Sequence, residues 1–260
     1  MAYENLLFEV RDGVGVLTVN RPKALNALNS RTVAELDQAL QREAAAPAVK
    51  ALVVTGAGDR AFVAGADIGE MSGMSPEQAR AFAAAGQRAL ARLEALPVVT
   101  IAAVNGFALG GGNELALACD LVYASEKARF GQPEVNLGIV PGFGGTQRLP
   151  RRVGAMRALE ILLTGDMVDA ARAKELGLCL DVVAPEKLLE HALAKAKVIA
   201  SRGPLAVAAA KRALRAGADL GLAQGLALEV EAFGALFATE DMREGTRAFL
   251  EKRAARFQGK

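Results

Sequence analysis

Two glutamates, Glu114 and Glu134, bracket the second half of a stretch in which glycine is dense, NGFALGGGNELALACDLVYASEKARFGQPE from Asn105 to Glu134. Each is flanked by glycine or proline segments instead of a charged run. Two carboxyls sharing a poorly hydrated cleft resist ionising together, so one can hold a proton while the other acts as a base. Gly110, Gly111 and Gly112 lie immediately before the helical run that opens at Glu114. The first N–H groups of a helix lack internal partners and glycine lets a ligand approach closely, so this turn can aim backbone donors at a ligand oxygen. Ala64, Gly65 and Ala66 follow another expected strand and offer a second N–H. Two such donors meeting on one oxygen form an oxyanion hole for a carbonyl that gains negative charge. Taken singly, each glutamate also reads as a solvated or helix-start acid, and the glycines as close packing of helix on sheet.

Other chemistries fit less well. A dinucleotide loop needs GxGxxG, and Gly106, Gly110, Gly111 and Gly112 do not have that spacing, although Glu134 lies where such folds place a ribose-binding acid. The one histidine, His191, sits among Leu188, Leu189, Ala192 and Leu193 with no nucleophile beside it, which reads as a surface or boundary position. Histidine-dependent serine or cysteine hydrolysis and a zinc site are therefore disfavoured, and no metal is expected. Cys119 and Cys179 lie far apart in apolar segments and read as reduced core thiols, which fits a cytoplasmic location.

The 260 residues are 52% hydrophobic and 23% charged, enough for one substantial core and too apolar for a disordered chain. A net charge of +2, with basic and acidic residues interspersed, gives little reason to expect a nucleic-acid partner. No signal-peptide core precedes the alternating run at Leu6, and no run of about 18 apolar residues suggests a membrane partner.

The elements that must position the glutamates alternate. Leu6 to Arg11 and Val14 to Asn20 flank Asp12-Gly13 as a hairpin, stopped at Arg21-Pro22. Thr32 with Glu35 forms a capping-box pattern for a helix to about Ala46. Strands are expected at Ala51 to Thr55 and Ala61 to Val63, and Ser75-Pro76-Glu77 opens a helix to Ala95. The buried strand Val98 to Val104 leads to the triple glycine and a helix from about Asn113, then come strands at Leu121 to Ala124 and Arg129-Phe130. This order implies an α/β domain. Beyond a glycine-rich entry at Gly138 and a strand at Asp181 to Val183, only helices are legible: Leu205 to Ala216, Leu222 to Ala238 and Met242 to Phe257. The division is a core over residues 1–200 and a helical C-terminal region over 201–260, closely packed because no linker separates them.

Four motifs now carry a family resemblance. FVAGADIGEM (Phe62 to Met71), VNGFALGGGNELALACD (Val104 to Asp120), FGQPEVNL (Phe130 to Leu137) and GIVPGFGGTQRL (Gly138 to Leu149) resemble the crotonase, or enoyl-CoA hydratase, superfamily. The likeness runs from the first hairpin to the C-terminal FLEKRAARF.

The resemblance implies a crotonase-like spiral of strand-strand-helix units with a helical C-terminal region that serves trimerisation and caps the active site. It implies an enoyl-CoA hydratase, a hydro-lyase acting on a trans-2-enoyl-CoA as in β-oxidation, with Glu114 and Glu134 catalytic and the N–H groups of Ala66 and Gly111 as the oxyanion hole. Relatives that isomerise, cleave or dehalogenate often lack one of the two glutamates, so the intact pair favours hydration; double-bond isomerisation or hydration of a branched enoyl-CoA is the alternative reading, and near-neutral charge with the intact pair opposes the role of an RNA-binding relative. Coenzyme A enters as part of the acyl-CoA substrate, so no separate cofactor is expected. The resemblance puts the CoA contacts at Ala64, Asp67, Ile68 and Lys252, and the assembly at a homotrimer or homohexamer. Two departures stand out: Gly69 where many relatives carry lysine, with Lys23 a possible substitute, and Asn113 where cysteine is frequent.

Overall fold

Asp12 and Gly13 both lie in the left-handed region, at φ 51° and 79°, the conformation that a two-residue turn needs to match the twist of the strands it joins. They connect β1 (Leu6–Arg11) to β2 (Val14–Val19), paired antiparallel from Leu6 opposite Val19 to Arg11 opposite Val14. The other strands are β3 (Ala51–Gly56), β4 (Ala61–Ala64), β5 (Val99–Val104), β6 (Phe107–Leu109), β7 (Leu121–Ser125), β8 (Arg129–Gly131), β9 (Val168–Asp169) and β10 (Asp181–Val183). Helices are α1 (Ser30–Ala39), α2 (Ile68–Met71), α3 (Pro76–Ala95), α4 (Gly111–Ala118), α5 (Gly145–Val153), α6 (Ala155–Thr164), α7 (Ala170–Leu176), α8 (Leu188–Ala200), α9 (Pro204–Gly217), α10 (Leu222–Leu236) and α11 (Glu240–Leu250). This computed structural model describes residues 3–260.

The strands fall into two sheets, one in the order β1-β2-β3-β5-β7-β10 and one in the order β4-β6-β8-β9. The chain passes back and forth between them, which makes the α/β spiral. Side chains alternate across the first sheet as a period of two requires. Ala51, Val53, Ile101 and Ala103 face α8 and pack on Leu188, Ala192 and Ala196. Leu52, Val54, Ala102 and Val104 face the main core with Leu36, Phe62, Leu90, Leu115 and Phe130. Central strands buried on both sides explain why these segments read as continuous apolar runs. Cys119 and Cys179 are free and buried, and His191 stands at the boundary of the α8 layer, edge-on to Tyr123 with ring centroids 4.8 Å apart.

Several expectations need correction. Asn29, not Thr32, caps α1: its side chain accepts the Thr32 N–H at 2.8 Å. Glu35 is instead turned toward the N-terminal segment and accepts the N–H groups of Glu4 and Asn5 at 3.0 and 2.8 Å. The regular helix stops at Ala39 and runs on as a wider π turn over Leu40–Ala44. Strand β6, which follows β5 after two residues and starts the turn toward Gly110, was hidden in the apolar run before the glycines. The last helix ends at Leu250 instead of Phe257, because Lys252 is left-handed at φ 54° and Glu251 closes the helix.

The C-terminal helices dock on the core through α9, where Ala209 is buried and the Lys211 ammonium donates to the Val98 carbonyl at 2.9 Å. Among the described residues no single helix is long and apolar enough to cross a membrane.

Candidate active site

Glycine is what lets α4 start where it does. A side chain at Gly112 would place its Cβ 1.9 Å from the Val63 carbonyl oxygen, so α4 sits directly on the backbone of β4. Gly110 adopts φ 50° and ψ −122°, and a Cβ there would lie 2.8 Å from Oε1 of Glu134 and 3.7 Å from the Gly65 Cα. The triple-glycine turn, the Gly65 turn and Glu134 therefore meet at one point, as the sequence reading expects.

The N–H groups of Ala66 and Gly111 are both available. Leu28 pairs with Ala66 as a parallel bridge, donating to the Gly65 carbonyl and accepting from the Asp67 N–H, each at 2.9 Å. That pairing turns the N–H of Ala66 away from Leu28. Gly111 is the first residue of α4 and has no intrahelical acceptor. Among the described residues neither N–H donates a hydrogen bond.

Glu114 lies in the first turn of α4 and is 1% exposed. Its Oε1 accepts the backbone N–H groups of Phe143 at 2.8 Å and Gly145 at 2.6 Å. Among the described residues nothing donates to Oε2, which is left for a ligand. Burial pushes its pKa up to about 7; the Gly145 and Phe143 N–H groups and the charge of Arg148 pull down, and the charge of Glu134 pushes further up. Glu134 sits in the 3-10 turn Pro133–Leu137, half-buried, and burial raises its pKa as well, against a smaller pull from its own backbone N–H. Both carboxyls are thus shifted toward the neutral form, the condition for sharing one proton.

Two residues of this site were not singled out from the sequence. Gln132 is fully buried. With its amide nitrogen turned to Glu134 it donates to Oε1 at 3.0 Å and Oε2 at 3.1 Å. Its place in the FGQPE stretch was the available signal, but an uncharged residue there did not suggest chemistry. Phe143, 3% exposed, puts its ring into the gap left by Gly86, where a Cβ would fall 2.2 Å from the ring, and packs on Phe82 with centroids 5.2 Å apart. The opposite edge of the ring faces Gly111, 3.3 Å from where a Cβ would stand. A bulky apolar wall therefore lies beside both a free N–H and the Glu114 carboxyl.

Of the residues expected to contact CoA, Ala64, Asp67 and Ile68 share the turn from β4 into α2, and Lys252 follows α11. Ala64 ends β4 and donates its N–H to the Leu25 carbonyl at 3.0 Å. Asp67 caps α2 through the Glu70 N–H at 3.3 Å and pairs with Arg21 at 3.0 Å, so its carboxylate is engaged in holding the loop. Arg21 is partly buried, and its partner Asp67 is held below the usual carboxylate range chiefly by that bond. Ile68 is 57% exposed, a free apolar face at the mouth of the Ala64 turn. Lys252 is exposed in the turn after α11, and Lys23 is exposed on the loop before α1.

The chain matches the enoyl-CoA hydratase/isomerase family over residues 9–260. It is 50% identical over 260 residues to the crotonyl-CoA hydratase of Syntrophomonas wolfei, covering 100% of both chains. It is 47% identical to the short-chain-enoyl-CoA hydratase of Clostridium acetobutylicum, covering 97% of each. The crystal structure of an enoyl-CoA hydratase from Bacillus anthracis superposes with a TM-score of 0.96 at 41% identity, over 99% of this chain and 100% of that one. The motifs, the spiral of two sheets and the full-length likeness agree, and the chain belongs to the enoyl-CoA hydratase/isomerase family, the crotonase superfamily.

Proposed function

We propose that this protein is an enoyl-CoA hydratase, a hydro-lyase that adds water reversibly across the C2=C3 bond of a short trans-2-enoyl-CoA. The observation that carries this reading is the Glu114 carboxyl, buried with Oε1 held by two backbone N–H groups, next to a second raised carboxyl at Glu134. A single base would serve many reactions; a pair of carboxyls in different protonation states serves addition of water, which must take one proton and give another.

In this reading Glu114, ionised, takes a proton from water as the oxygen bonds to C3. The C2=C3 electrons shift toward the thioester oxygen, whose growing charge is held by the N–H groups of Ala66 and Gly111. Glu134, protonated, delivers its proton to C2 as the carbonyl re-forms. One O–H bond of water is broken, C3–O and C2–H bonds are formed, and a proton passes between the carboxyls to restore the starting state. Gln132 orients Glu134 through its amide.

Phe143 supports a short acyl group, because its ring occupies space next to the donor at Gly111 that a longer tail would use. CoA is part of the substrate, and the exposed Ile68 near the Ala64 turn suits an adenine face. Self-association is part of the proposal. Leu226, Val230 and Phe233 recur along one side of α10, with Phe237 at its C-cap, each at least 51% exposed, a stripe that water disfavours and another copy of the chain can cover.

The test is hydration of crotonyl-CoA by the native chain and by Glu114→Gln and Glu134→Gln, with product analysis to separate hydration from double-bond movement. Each variant should lose at least about 100-fold in kcat. Near-native turnover in both would overturn the mechanism, and an isomerised product would replace the activity.

A further inference from the structure

The turn that grips Glu114 is itself gripped from behind. Phe143 gives its N–H to Glu114 Oε1, and its carbonyl on the other side accepts Arg148 Nη1 at 2.7 Å. Gly144, at φ 108°, lets the chain fold over that guanidinium; a Cβ there would lie 2.3 Å from Arg148 Nη1. The remaining donors of Arg148 form a fork on Glu94 at the end of α3, Nε to Oε1 at 2.9 Å and Nη2 to Oε2 at 2.7 Å. A planar guanidinium with three bonds in fixed directions sets an orientation that a flexible ammonium cannot.

Glu94 is held in turn from the C-terminal region. Arg215 of α9 donates Nη1 to Glu94 Oε1 at 3.3 Å, and its Nε and Nη2 reach Asp120 Oδ1 at 3.0 and 2.8 Å. Asp120 Oδ2 accepts from the Thr100 N–H at 2.8 Å and pairs with Lys211, also of α9, at 2.8 Å. The side chains of Arg148, Glu94, Arg215 and Asp120 are 18%, 24%, 30% and 13% exposed, so solvent screens them little. An unbroken line of contacts therefore runs from α9 through Arg215, Glu94 and Arg148 to the Phe143 peptide and the carboxyl of Glu114.

We propose that Arg148 is a positioning residue for Glu114, and that Glu94 and Arg215 extend this control to the C-terminal region, so that the docking of α9 is felt at the catalytic carboxyl. The inference rests on Glu114 being the base. Arg148 does not touch reacting atoms in this arrangement. It fixes the Phe143 carbonyl and with it the Phe143–Gly144 peptide, which lies between the two N–H groups that hold Oε1. Contacts alone define a route and not a coupling, so the coupling must be measured.

The experiment compares Arg148→Met, Arg148→Lys and Arg215→Met with the native chain. For each, kcat and KM for crotonyl-CoA are measured across pH, and exchange of the Phe143 and Gly145 amide protons is followed by NMR. In Arg148→Met both amides should exchange at least about tenfold faster, and kcat should fall about 100-fold with KM nearly unchanged, since displacing a catalytic group by about 1 Å costs that much. The acidic limb should move to higher pH, because the carboxylate loses both its donors and the nearby Arg148 charge; Glu134, the other charged group facing Glu114, is untouched. Arg148→Lys keeps the charge but not the fork and should follow Arg148→Met, which separates orientation from charge. Arg215→Met, farther along the line and removable without opening the turn, should lower kcat by roughly fivefold. Unchanged amide exchange together with an unmoved acidic limb in folded Arg148→Met, or in Arg215→Met should Arg148→Met not fold, overturns the proposal. The amide readout holds whether or not the native chain hydrates crotonyl-CoA, so absence of native activity would strike the functional reading alone.

Discussion

The backbone N–H of Gly145 lies 2.6 Å from Oε1 of Glu114, closer than that of Phe143 at 2.8 Å, and it is the strongest restraint on a carboxyl that burial drives toward its neutral form. The balance leaves Glu114 near pH 7, where both protonation states are accessible. A base that must also be regenerated as an acid in the reverse reaction is best placed near the working pH.

The first expectation concerns that balance. Hydration and dehydration both run from the pair holding one proton, on Glu134 in one direction and on Glu114 in the other, so kcat/KM should trace the same bell against pH in both directions, with Glu114, near 7, setting one limb. Rates in both directions across pH 5 to 9 would check it. Profiles of kcat/KM that moved in opposite directions with pH, or that showed no limb near 7, would contradict the assignment.

Stability should depend on the same group with the opposite benefit. An unfolded glutamate titrates near 4.5 and folded Glu114 near 7, so the folded chain binds more protons between these values. The contribution is fully present below 4.5 and lost as pH rises through 7, where the buried charge costs roughly 3 kcal/mol. Glu114→Gln keeps the shape without the charge. Its urea midpoint should exceed that of the native chain at pH 8, with the advantage fading toward pH 4.5.

The three glycines should separate by effect. Gly112→Ala drives a Cβ to 1.9 Å from the Val63 carbonyl and should destabilise the chain by at least about 3 kcal/mol, or prevent folding. Gly110→Ala meets a disfavoured backbone and the Glu134 carboxyl at 2.8 Å, so the folded fraction should lose about 100-fold in kcat. Gly111→Ala finds its nearest atoms, on the Phe143 ring, at 3.3 and 3.4 Å and should be the mildest. Thermal melts and kcat per folded molecule would order them, and an activity loss greatest at Gly111 would be inconsistent with this packing.

Phe143→Ala should exchange stability for reach. Removing the ring between Gly86 and Gly111 leaves a cavity costing about 3–5 kcal/mol. The kcat/KM ratio of octenoyl-CoA to crotonyl-CoA should rise at least about tenfold. An unchanged ratio in a folded variant would mean that the tail runs elsewhere.

Legibility in the sequence followed the range of each cause. The Asp12-Gly13 hairpin and the Ser75 cap of α3 depend on neighbours in the chain, and both stand as read. The meeting of Gly110, Gly65 and Glu134 was reached through the motifs and the helix start. What was not legible depends on contacts far apart in sequence. Glu35 had the spacing of a capping partner but is claimed by the N-terminal segment 30 residues before it. Gln132 acquires its role from Glu134 only after both are buried, and Phe143 acquires its place only from the missing side chain of Gly86. Arg148 was not singled out within GIVPGFGGTQRL; only the fold sets it against Glu94 and the Phe143 carbonyl.

Each sheet adds its strands in the order in which the chain is made: β3 receives β5, β5 receives β7 and β7 receives β10, while β4 receives β6, β6 receives β8 and β8 receives β9. A strand emerging from the ribosome therefore always finds a finished edge waiting for it, and no gap has to be held open for a later arrival. Such growth from one end spares a largely parallel sheet the long search that distant pairings impose. It also sets a schedule for the chemistry. Glu114 is synthesised about thirty residues before the Phe143 and Gly145 N–H groups that hold it, so the nascent chain carries an unrestrained carboxyl until the turn at Gly144 closes over it.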